Sequence, residues 1–148
     1  MSFRIERLVE KHISGAAAVL VNAYALPPWN ESWSLEAAAE NVTYVLETPR
    51  SIALAAVDGD KVLGIALGIR QRRHTGPVIY VDELSVQPDA QGKGIGTALL
   101  SAMFETATVE GCSSVWLISQ RGGALSEFYQ RCEFAVISDL GLYSRSSG

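Results

Sequence analysis

The sequence predicts an α/β (α+β) fold in which a mixed β-sheet is flanked by helices on both faces. Segments with strand character alternate with segments whose apolar residues recur every three or four positions, in the order β-α-α-β-β-β-α-β-α-β-β. This order combines a hairpin, which pairs antiparallel strands, with strand–helix–strand crossovers, which pair parallel strands. The 148 residues contain no internal repeat or linker, so residues 1–148 are predicted to form one domain.

The N-terminal third is predicted to contain a short strand and two helices. Residues 3–8 alternate as in a strand, and residues 10–24 carry one apolar stripe, as in a helix. The prolines of "ALPPWNESWS" cannot continue that helix, and Ser34 is a suitable N-cap for a second helix over residues 35–46. The side chains of the second helix that we expect to face the core are Leu35, Ala38, Val42, Val45 and Leu46.

The middle of the chain is predicted to form three strands. "SIALAAV" and "KVLGIALGIRQR" are β-rich runs on either side of "DGD", and an Asp-Gly pair at this place is typical of a hairpin. A Gly-Pro break at Gly76 and Pro77 follows. After it, "VIYVDELSV" is predicted to be a strand that ends before Pro88.

Two helices and three short strands complete the prediction. "SSVWLIS" is expected to form a strand, "ALSEFYQRC" a short helix, and "FAVISDLGLYSR" two last strands. A longer helix over residues 97–110 precedes them and ends at Gly111. Its inner face is expected to carry Leu99, Leu100, Met103, Phe104 and Ala107.

Charge and composition argue against several classes of protein. The net charge is −4, and the only basic cluster, "RQRRH", is interpreted as a solvated strand end, so we expect no nucleic-acid partner. No apolar run approaches the ~20 residues that cross a bilayer, and the charged N-terminus is unlike a signal peptide. We therefore expect a cytoplasmic protein with no membrane partner. The two histidines and two cysteines lack the spacing of metal ligands, so no metal site is expected.

The stretch "QGKGIGTALL" places three glycines directly before a helix, without the Walker A or GxGxxG pattern. Backbone N–H groups at a helix start have no partner within the helix and carry partial positive charge. Glycines let an anion approach these groups closely, and Lys93 adds a formal charge. The stretch therefore predicts a pyrophosphate site, with a simple flexible turn as the alternative.

The longer stretch "VDELSVQPDAQGKGIGTALLSAM" resembles the acetyl-CoA-binding core of the Gcn5-related N-acetyltransferases, the GNAT family. Its residues fill every position of the family's Gln/Arg-x-x-Gly-x-Gly/Ala motif, and "EFYQRCEF" is similar to the family's "FYxxxGF" element. The resemblance implies an N-acetyltransferase that uses acetyl-CoA as co-substrate. It also implies that the pyrophosphate contacts the backbone of Gln91, Gly92, Lys93, Gly94, Ile95, Gly96 and Thr97.

The resemblance implies roles for three further parts of the chain. The exposed backbone of the strand before the loop would bind the pantetheine arm at Leu84, Ser85 and Val86, and one N–H there would polarise the thioester carbonyl. Tyr129 matches the family's tyrosine that protonates the leaving thiolate, with simple packing in a helical stripe as the alternative. The sequence departs from the family at two places, which are occupied by Gly122 instead of asparagine and Glu133 instead of glycine.

Two neighbouring acidic residues, Asp82 and Glu83, are the candidate catalytic carboxylates. An amine with a pKa of ~10.4 must lose a proton before it attacks, which costs about 4.6 kcal/mol at pH 7. A carboxylate near the thioester would bind the cation and help to remove that proton. Strand alternation sends the two side chains to opposite faces, so we expect only one in the cleft. The alternative is that they pair with a sheet neighbour or an arginine.

The segment "PPWNESWS" is the candidate acceptor site. The resemblance implies that it walls this site, and Trp29 and Trp33 beside Glu31 would suit a cationic or sugar-like amine through cation–π contact. The alternative is a hydrophobic cover over the core.

We therefore expect direct attack by the primary amine of a small, cationic acceptor. No covalent acetyl-enzyme is expected, because Cys112 and Cys132 have no activating base nearby in sequence. A non-catalytic acyl-CoA sensor and a protein or peptide N-acetyltransferase are the alternatives. A homodimer is the commonest assembly of such chains and is left open.

Overall fold

The structure is a computed structural model that describes residues 2–148. The chain forms two compact units, one that ends at Leu117 and one that begins at Ile118. Single 3₁₀ turns occur at Glu10–His12 and Pro88–Ala90. The strands and helices, in chain order, are β1 (Arg4–Arg7), α1 (Ile13–Tyr24), α2 (Leu35–Glu47), β2 (Ile52–Asp58), β3 (Lys61–Arg73), β4 (Gly76–Val86), α3 (Ile95–Val109), β5 (Ser114–Trp116) and α4 (Gly123–Arg131).

The first unit is built on a five-stranded mixed sheet with the strand order β1-β2-β3-β4-β5. The first four strands pair antiparallel with their neighbours, whereas β4 and β5 run parallel. The parallel pair follows from the crossover through α3, which returns the chain to the same end of the sheet. The predicted class, an α/β fold with a mixed sheet, is confirmed.

Helices cover both faces of this sheet, as predicted. In β2, Ala53, Ala55 and Val57 belong to the core that α1 and α2 close. The alternate residues Ile52 and Leu54 belong to the core that α3 closes. A strand buried on both faces is apolar at every position, which explains the run "IALAAV".

The β2–β3 hairpin forms where the Asp-Gly pair predicts it, with Gly59 at a φ of +61° in the turn. Two glycines of β3 serve close packing instead. A Cβ atom at Gly64 would lie 2.9 Å from Ile95, and one at Gly68 would lie 3.0 Å from Met103. Their missing side chains therefore let α3 lie close to the sheet.

Helix α2 begins as predicted, because the Ser34 hydroxyl accepts a hydrogen bond from the Ala37 N–H at 3.0 Å. Two residues that we expected in the core are exposed instead. Leu35 is 59% exposed because it lies in the first turn, before the buried stripe, and Phe104 is 56% exposed. Phe104 lies about 100° around α3 from Met103, which is enough to turn it to solvent.

Three predicted boundaries are also wrong. Helix α1 begins at Ile13 after the 3₁₀ turn, and β5 has only three residues. Gly76 and Pro77 do not break the chain. They belong to β4, where Pro77 pairs with Arg72 in the β3–β4 hairpin.

The second unit contains α4 but not the two last strands that "FAVISDLGLYSR" predicts, since residues 134–148 form no strand. A strand is stable only when a neighbour completes its hydrogen bonds and one face is buried. Here the Arg121 guanidinium donates to the carbonyls of Ser138 and Leu140, and the apolar side chains stay exposed, among them Leu142 and Tyr143.

At the end of α4, Glu133 occupies the position where the resembling family usually has glycine. The N–H of Glu133 donates to the Gln130 carbonyl and the N–H of Phe134 donates to the Tyr129 carbonyl, each at 3.0 Å. This arrangement is a Schellman motif, whose left-handed position favours glycine. Glu133 occupies that position with a φ of +69°.

We expect Glu133→Gly to stabilise the end of α4 by about 0.5 to 1 kcal/mol. The left-handed backbone costs a side-chain-bearing residue about 1–2 kcal/mol, and the added freedom of glycine in the unfolded chain offsets part of that gain. Amide hydrogen exchange of α4 measures the change. Glu127→Gly, the same replacement inside the helix, should instead destabilise by about 1 kcal/mol. Equal losses in both variants would contradict this account.

Candidate active site

The acidic pair lies at a β-bulge in β4. Leu67 of β3 pairs with Glu83, and its neighbour Gly68 pairs with Val81, so Asp82 is an extra residue without a partner in β3. A bulge interrupts the strict alternation of a strand and re-aims the side chains around it. The expectation that alternation separates Asp82 and Glu83 therefore does not apply to this strand.

The β3 partners of the residues after the bulge show on which face of the sheet each side chain lies. Glu83 and Ser85 pair with Leu67 and Ile65, which belong to the core beneath α1 and α2. Directly paired residues share a face of the sheet, so Glu83 and Ser85 face α1 and α2. Leu84 and Val86 pack against the opposite core, beneath α3.

One edge of β4 is open beyond Tyr80. The parallel pairing with β5 covers only residues 78–80 of β4, and no strand among residues 2–148 continues it along residues 81–86. The three residues predicted to bind pantetheine, Leu84, Ser85 and Val86, lie on this stretch. The hydroxyl of Ser85 is buried and has no hydrogen-bond partner within the described chain.

Glu83 is 9% exposed, and two neutral side chains hold its carboxyl. The Tyr24 hydroxyl donates to Oε2 at 2.5 Å, and Nδ2 of Asn41 lies 3.5 Å from Oε1. Tyr24 is the last residue of α1, and Asn41 lies in the middle of α2. The two helices thus enclose the carboxyl from one side of the sheet.

Burial raises the pKa of Glu83 to about 7. The hydrogen bond from Tyr24 acts in the opposite direction, while the nearby charges of Asp82 and Glu31 raise the pKa further. Burial also raises the pKa of Tyr80, and the negative charges of Asp82 and Glu83 raise it further. A carboxyl with a pKa near neutrality can both accept and release a proton at physiological pH, as a general base must.

The candidate acceptor segment packs around Tyr24, the residue whose hydroxyl binds Glu83. The Tyr24 ring lies edge-on to Trp29 with centroids 5.6 Å apart, and 6.3 Å from the ring of Trp33. Glu31 accepts a 2.8 Å hydrogen bond from Nε1 of Trp33. The structure therefore brings together the predicted acceptor residues and one of the two predicted carboxylates.

The glycine loop leads directly into α3, which begins at Ile95, two residues before the predicted start. Gly94 is its N-cap with a left-handed φ of +83°, and no side chain caps the first turn. A Cβ at Gly92 or Gly94 would meet nothing within 4 Å, so the backbone there is open to a ligand. The first N–H groups of α3, which include those of Gly96 and Thr97, are suited to a phosphate.

Side chains of the loop fix its position after β4. Nε2 of Gln91 donates to the Val86 carbonyl at 3.1 Å, and Nζ of Lys93 donates to the Asp89 carbonyl at 3.3 Å. The open edge of β4 and the uncapped end of α3 are thus consecutive along the chain. This arrangement fits a molecule with an amide-containing arm and a pyrophosphate, as CoA has.

Tyr129 lies in the second unit, in the half-buried stripe of α4. Its ring is edge-on to Phe128 and Phe134, with centroids 5.1 and 6.0 Å away. Gly122, where the family often has asparagine, is the N-cap of α4 with φ +78° and ψ 175°. Only glycine adopts that conformation readily, so asparagine would strain the backbone here.

Sequence reasoning missed Tyr24, Asn41 and the bulge. Tyr24 closes the apolar stripe of α1, which is typical of packing, and Asn41 is one polar residue in an amphipathic helix. The signal that could have identified Tyr24 is its hydroxyl, placed at the helix end directly before the aromatic segment.

Within residues 2–148, no helix combines the length and the hydrophobicity that a membrane span requires. The same residues contain no group of three His, Cys, Asp or Glu side chains arranged to hold a metal ion.

Comparisons with known proteins identify a family and several solved structures with a similar fold. A family model described as the acetyltransferase (GNAT) family matches residues 19–134. No curated protein shows significant sequence similarity to the chain.

Several solved structures share the fold at low sequence identity. A transcriptional regulator from Bacillus halodurans C-125 has a TM-score of 0.80 at 18% identity, over 98% of this chain and 100% of that one. The aminoglycoside N-acetyltransferase AAC(6')-Iy, in complex with CoA, has a TM-score of 0.80 at 14% identity, over 99% and 96%. Glucosamine-6-phosphate N-acetyltransferase from Arabidopsis thaliana has a TM-score of 0.75 at 14% identity, over 100% of both chains.

Proposed function

The chain belongs to the GNAT family of acetyltransferases, and from this premise we propose that it acetylates the primary amine of a small cationic acceptor. Acetyl-CoA is the proposed acetyl donor, and residues 1–148 are proposed to act as one N-acetyltransferase domain. The observation that carries the proposal is the buried carboxyl of Glu83, whose pKa is raised to about 7 beside an aromatic segment. A cytoplasmic location stays a prediction of the sequence.

The glycine loop and β4 are proposed to hold the acetyl donor, which supplies the activated acetyl group when bound. The uncapped first turn of α3, with Gly92 and Gly94 open to solvent, supports pyrophosphate binding. The open edge of β4 supports contacts with an amide-containing arm at residues 84–86. One backbone N–H of that edge would donate to the thioester carbonyl.

Glu83 is proposed to act as the general base. Its carboxylate binds the acceptor's ammonium group and takes one proton, after which the neutral amine attacks the thioester carbon directly. Asp82 adds negative charge next to Glu83, which favours a cationic acceptor. As the C–S bond of the thioester breaks, Tyr129 is proposed to protonate the departing thiolate, and the acylated nitrogen loses its second proton to water.

Trp29, Glu31 and Trp33 are proposed to bind the acceptor. Two indole rings beside a carboxylate suit a cation, because a ring face and a negative charge both attract it. We expect Trp29→Ala or Trp33→Ala to raise the acceptor KM about 10-fold, the equivalent of ~1.4 kcal/mol, with little change in the KM for acetyl-CoA.

The remaining tryptophan provides the control for that prediction. Trp116 lies on the edge strand β5, where Arg73 sits 5.2 Å from its ring centre. Trp116→Ala should leave the acceptor KM unchanged. An unchanged acceptor KM in the Trp29 and Trp33 variants would assign these residues to packing alone.

The proposed function is tested by thiol release from acetyl-CoA in the presence of single amines. The panel comprises polyamines, aminoglycosides, amino acids and lysine-containing peptides. Turnover with the polyamines or aminoglycosides supports the proposal, and turnover with peptides alone replaces it with a peptide N-acetyltransferase. Binding of CoA without turnover on any amine would favour the acyl-CoA sensor.

A further inference from the structure

The phenol of Tyr24 joins two parts of the candidate site that are far apart in sequence. Its hydroxyl donates to Oε2 of Glu83 at 2.5 Å, across 59 residues of chain. Its ring is in contact with both Trp29 and Trp33. One side chain therefore contacts the proposed base and both aromatic rings of the proposed acceptor segment.

The backbone strengthens this connection. The N–H of Glu31 donates to the Tyr24 carbonyl at 2.7 Å, and the carboxylate of Glu31 accepts from the Trp33 indole. Residues 29–33 are thus folded around the end of α1. A shift of this segment on acceptor binding would therefore act directly on the position of Tyr24.

We propose that Tyr24 is a positioning residue that fixes the Glu83 carboxylate and links it to the Trp29–Trp33 segment. The inference rests on the proposed function. Tyr24 occupies Oε2 of the carboxylate, while among residues 2–148 only Asn41 contacts Oε1, at 3.5 Å. Oε1 is therefore the oxygen that can take the proton of the acceptor, and the bond at Oε2 holds it in one orientation.

Among the groups around Glu83, Tyr24 is the group whose hydrogen bond lowers the pKa and so favours the ionised carboxylate. Asp82 on β4 and Glu31 before α2 disfavour it by repulsion, and burial disfavours it further. Asn41 on α2 donates only at 3.5 Å, at the limit of a hydrogen bond, and the partner on β3 is the apolar Leu67. Tyr80 also lies close enough for the charge of Glu83 to raise its pKa.

The test compares Tyr24→Phe with the wild type in the pH dependence of kcat/KM. Loss of one hydrogen bond to a charged group, about 1.5 kcal/mol, should move the acidic limb upward by about one pH unit. Since the midpoint moves from about 7 to about 8, kcat/KM at pH 7 should fall about 5-fold and recover at pH 9. Tyr44→Phe, a loss of the same hydroxyl from an exposed position of α2, should leave the profile unchanged.

A second readout separates this inference from the proposed function. Carbon-13 NMR of labelled glutamate follows the titration of Glu83 directly, in protein with or without activity. If no amine is acetylated by the wild type, the proposed function fails, yet the titration midpoint should still rise in Tyr24→Phe. An unshifted midpoint in a folded Tyr24→Phe protein, with or without a lower kcat, would overturn the role of Tyr24.

Discussion

Replacement of Glu83 by glutamine is expected to lower kcat by about 10²- to 10³-fold, with a small change in the affinity for acetyl-CoA. Glutamine keeps the shape of the side chain and still accepts the hydrogen bond from Tyr24, but it cannot take a proton. General-base catalysis contributes about 10²–10⁴ in rate, which sets the size of the loss. Steady-state kinetics with the best amine of the panel measure the effect.

The same variant should be more stable than the wild type at alkaline pH. The pKa of Glu83 is about 7 in the folded chain, against 4.5 for an unperturbed glutamate, so the folded state binds the proton more tightly. The stability that this proton provides is complete below pH ~4.5 and is lost as pH rises through about 7. Wild type should lose up to about 3 kcal/mol of unfolding free energy over this range.

Glu83→Gln should not show that part of the pH dependence, because it carries no titrating proton. A catalytic loss together with a gain in stability at pH 8 cannot arise from misfolding. Glu47→Gln, at the exposed end of α2, is the matched control and should change neither quantity. A Glu83→Gln enzyme that keeps more than a tenth of the wild-type kcat would remove Glu83 as the base.

Gly94→Ala should weaken acetyl-CoA binding by about 100-fold. The left-handed φ of +83° at the start of α3 disfavours alanine, and the new methyl group would occupy space that is open in the free protein. Displacement of the pyrophosphate costs one or two charge-assisted hydrogen bonds, together about 3 kcal/mol. Isothermal titration calorimetry with acetyl-CoA gives the dissociation constant.

Gly59→Ala provides the matched control for this substitution. Gly59 has a φ of +61° in the β2–β3 turn, and a Cβ there also meets nothing within 4 Å. The two variants should lose similar stability, while only Gly94→Ala loses affinity. Equal affinities in both would mean that the glycine loop is a simple turn.

The parts of the fold that could be predicted depend on neighbours in sequence. The Asp-Gly hairpin, the Ser34 cap and the apolar stripes are local, and the structure confirms them. The prediction of two last strands is wrong because a strand needs a partner that local sequence cannot specify. The predicted burial of Phe104 is wrong because the width of the buried stripe depends on how α3 lies on the sheet.

The candidate site divides in the same way. The glycine loop is a contiguous motif, so its residues and its place before α3 could be identified from the sequence. The bulge at Asp82 appears only when the β3–β4 register is known. The bond between Tyr24 and Glu83 depends on how α1 packs on the sheet, and no short motif marks it.

The most direct test of the central claim is mass-spectrometric analysis of the products from acetyl-CoA and a polyamine or aminoglycoside. We expect wild type to form a mono-N-acetylated amine at a rate that rises with pH through about 7, and Glu83→Gln to form it only slowly. Equal amounts of acetylated amine with both proteins, or none with a wild type that binds CoA, would contradict it.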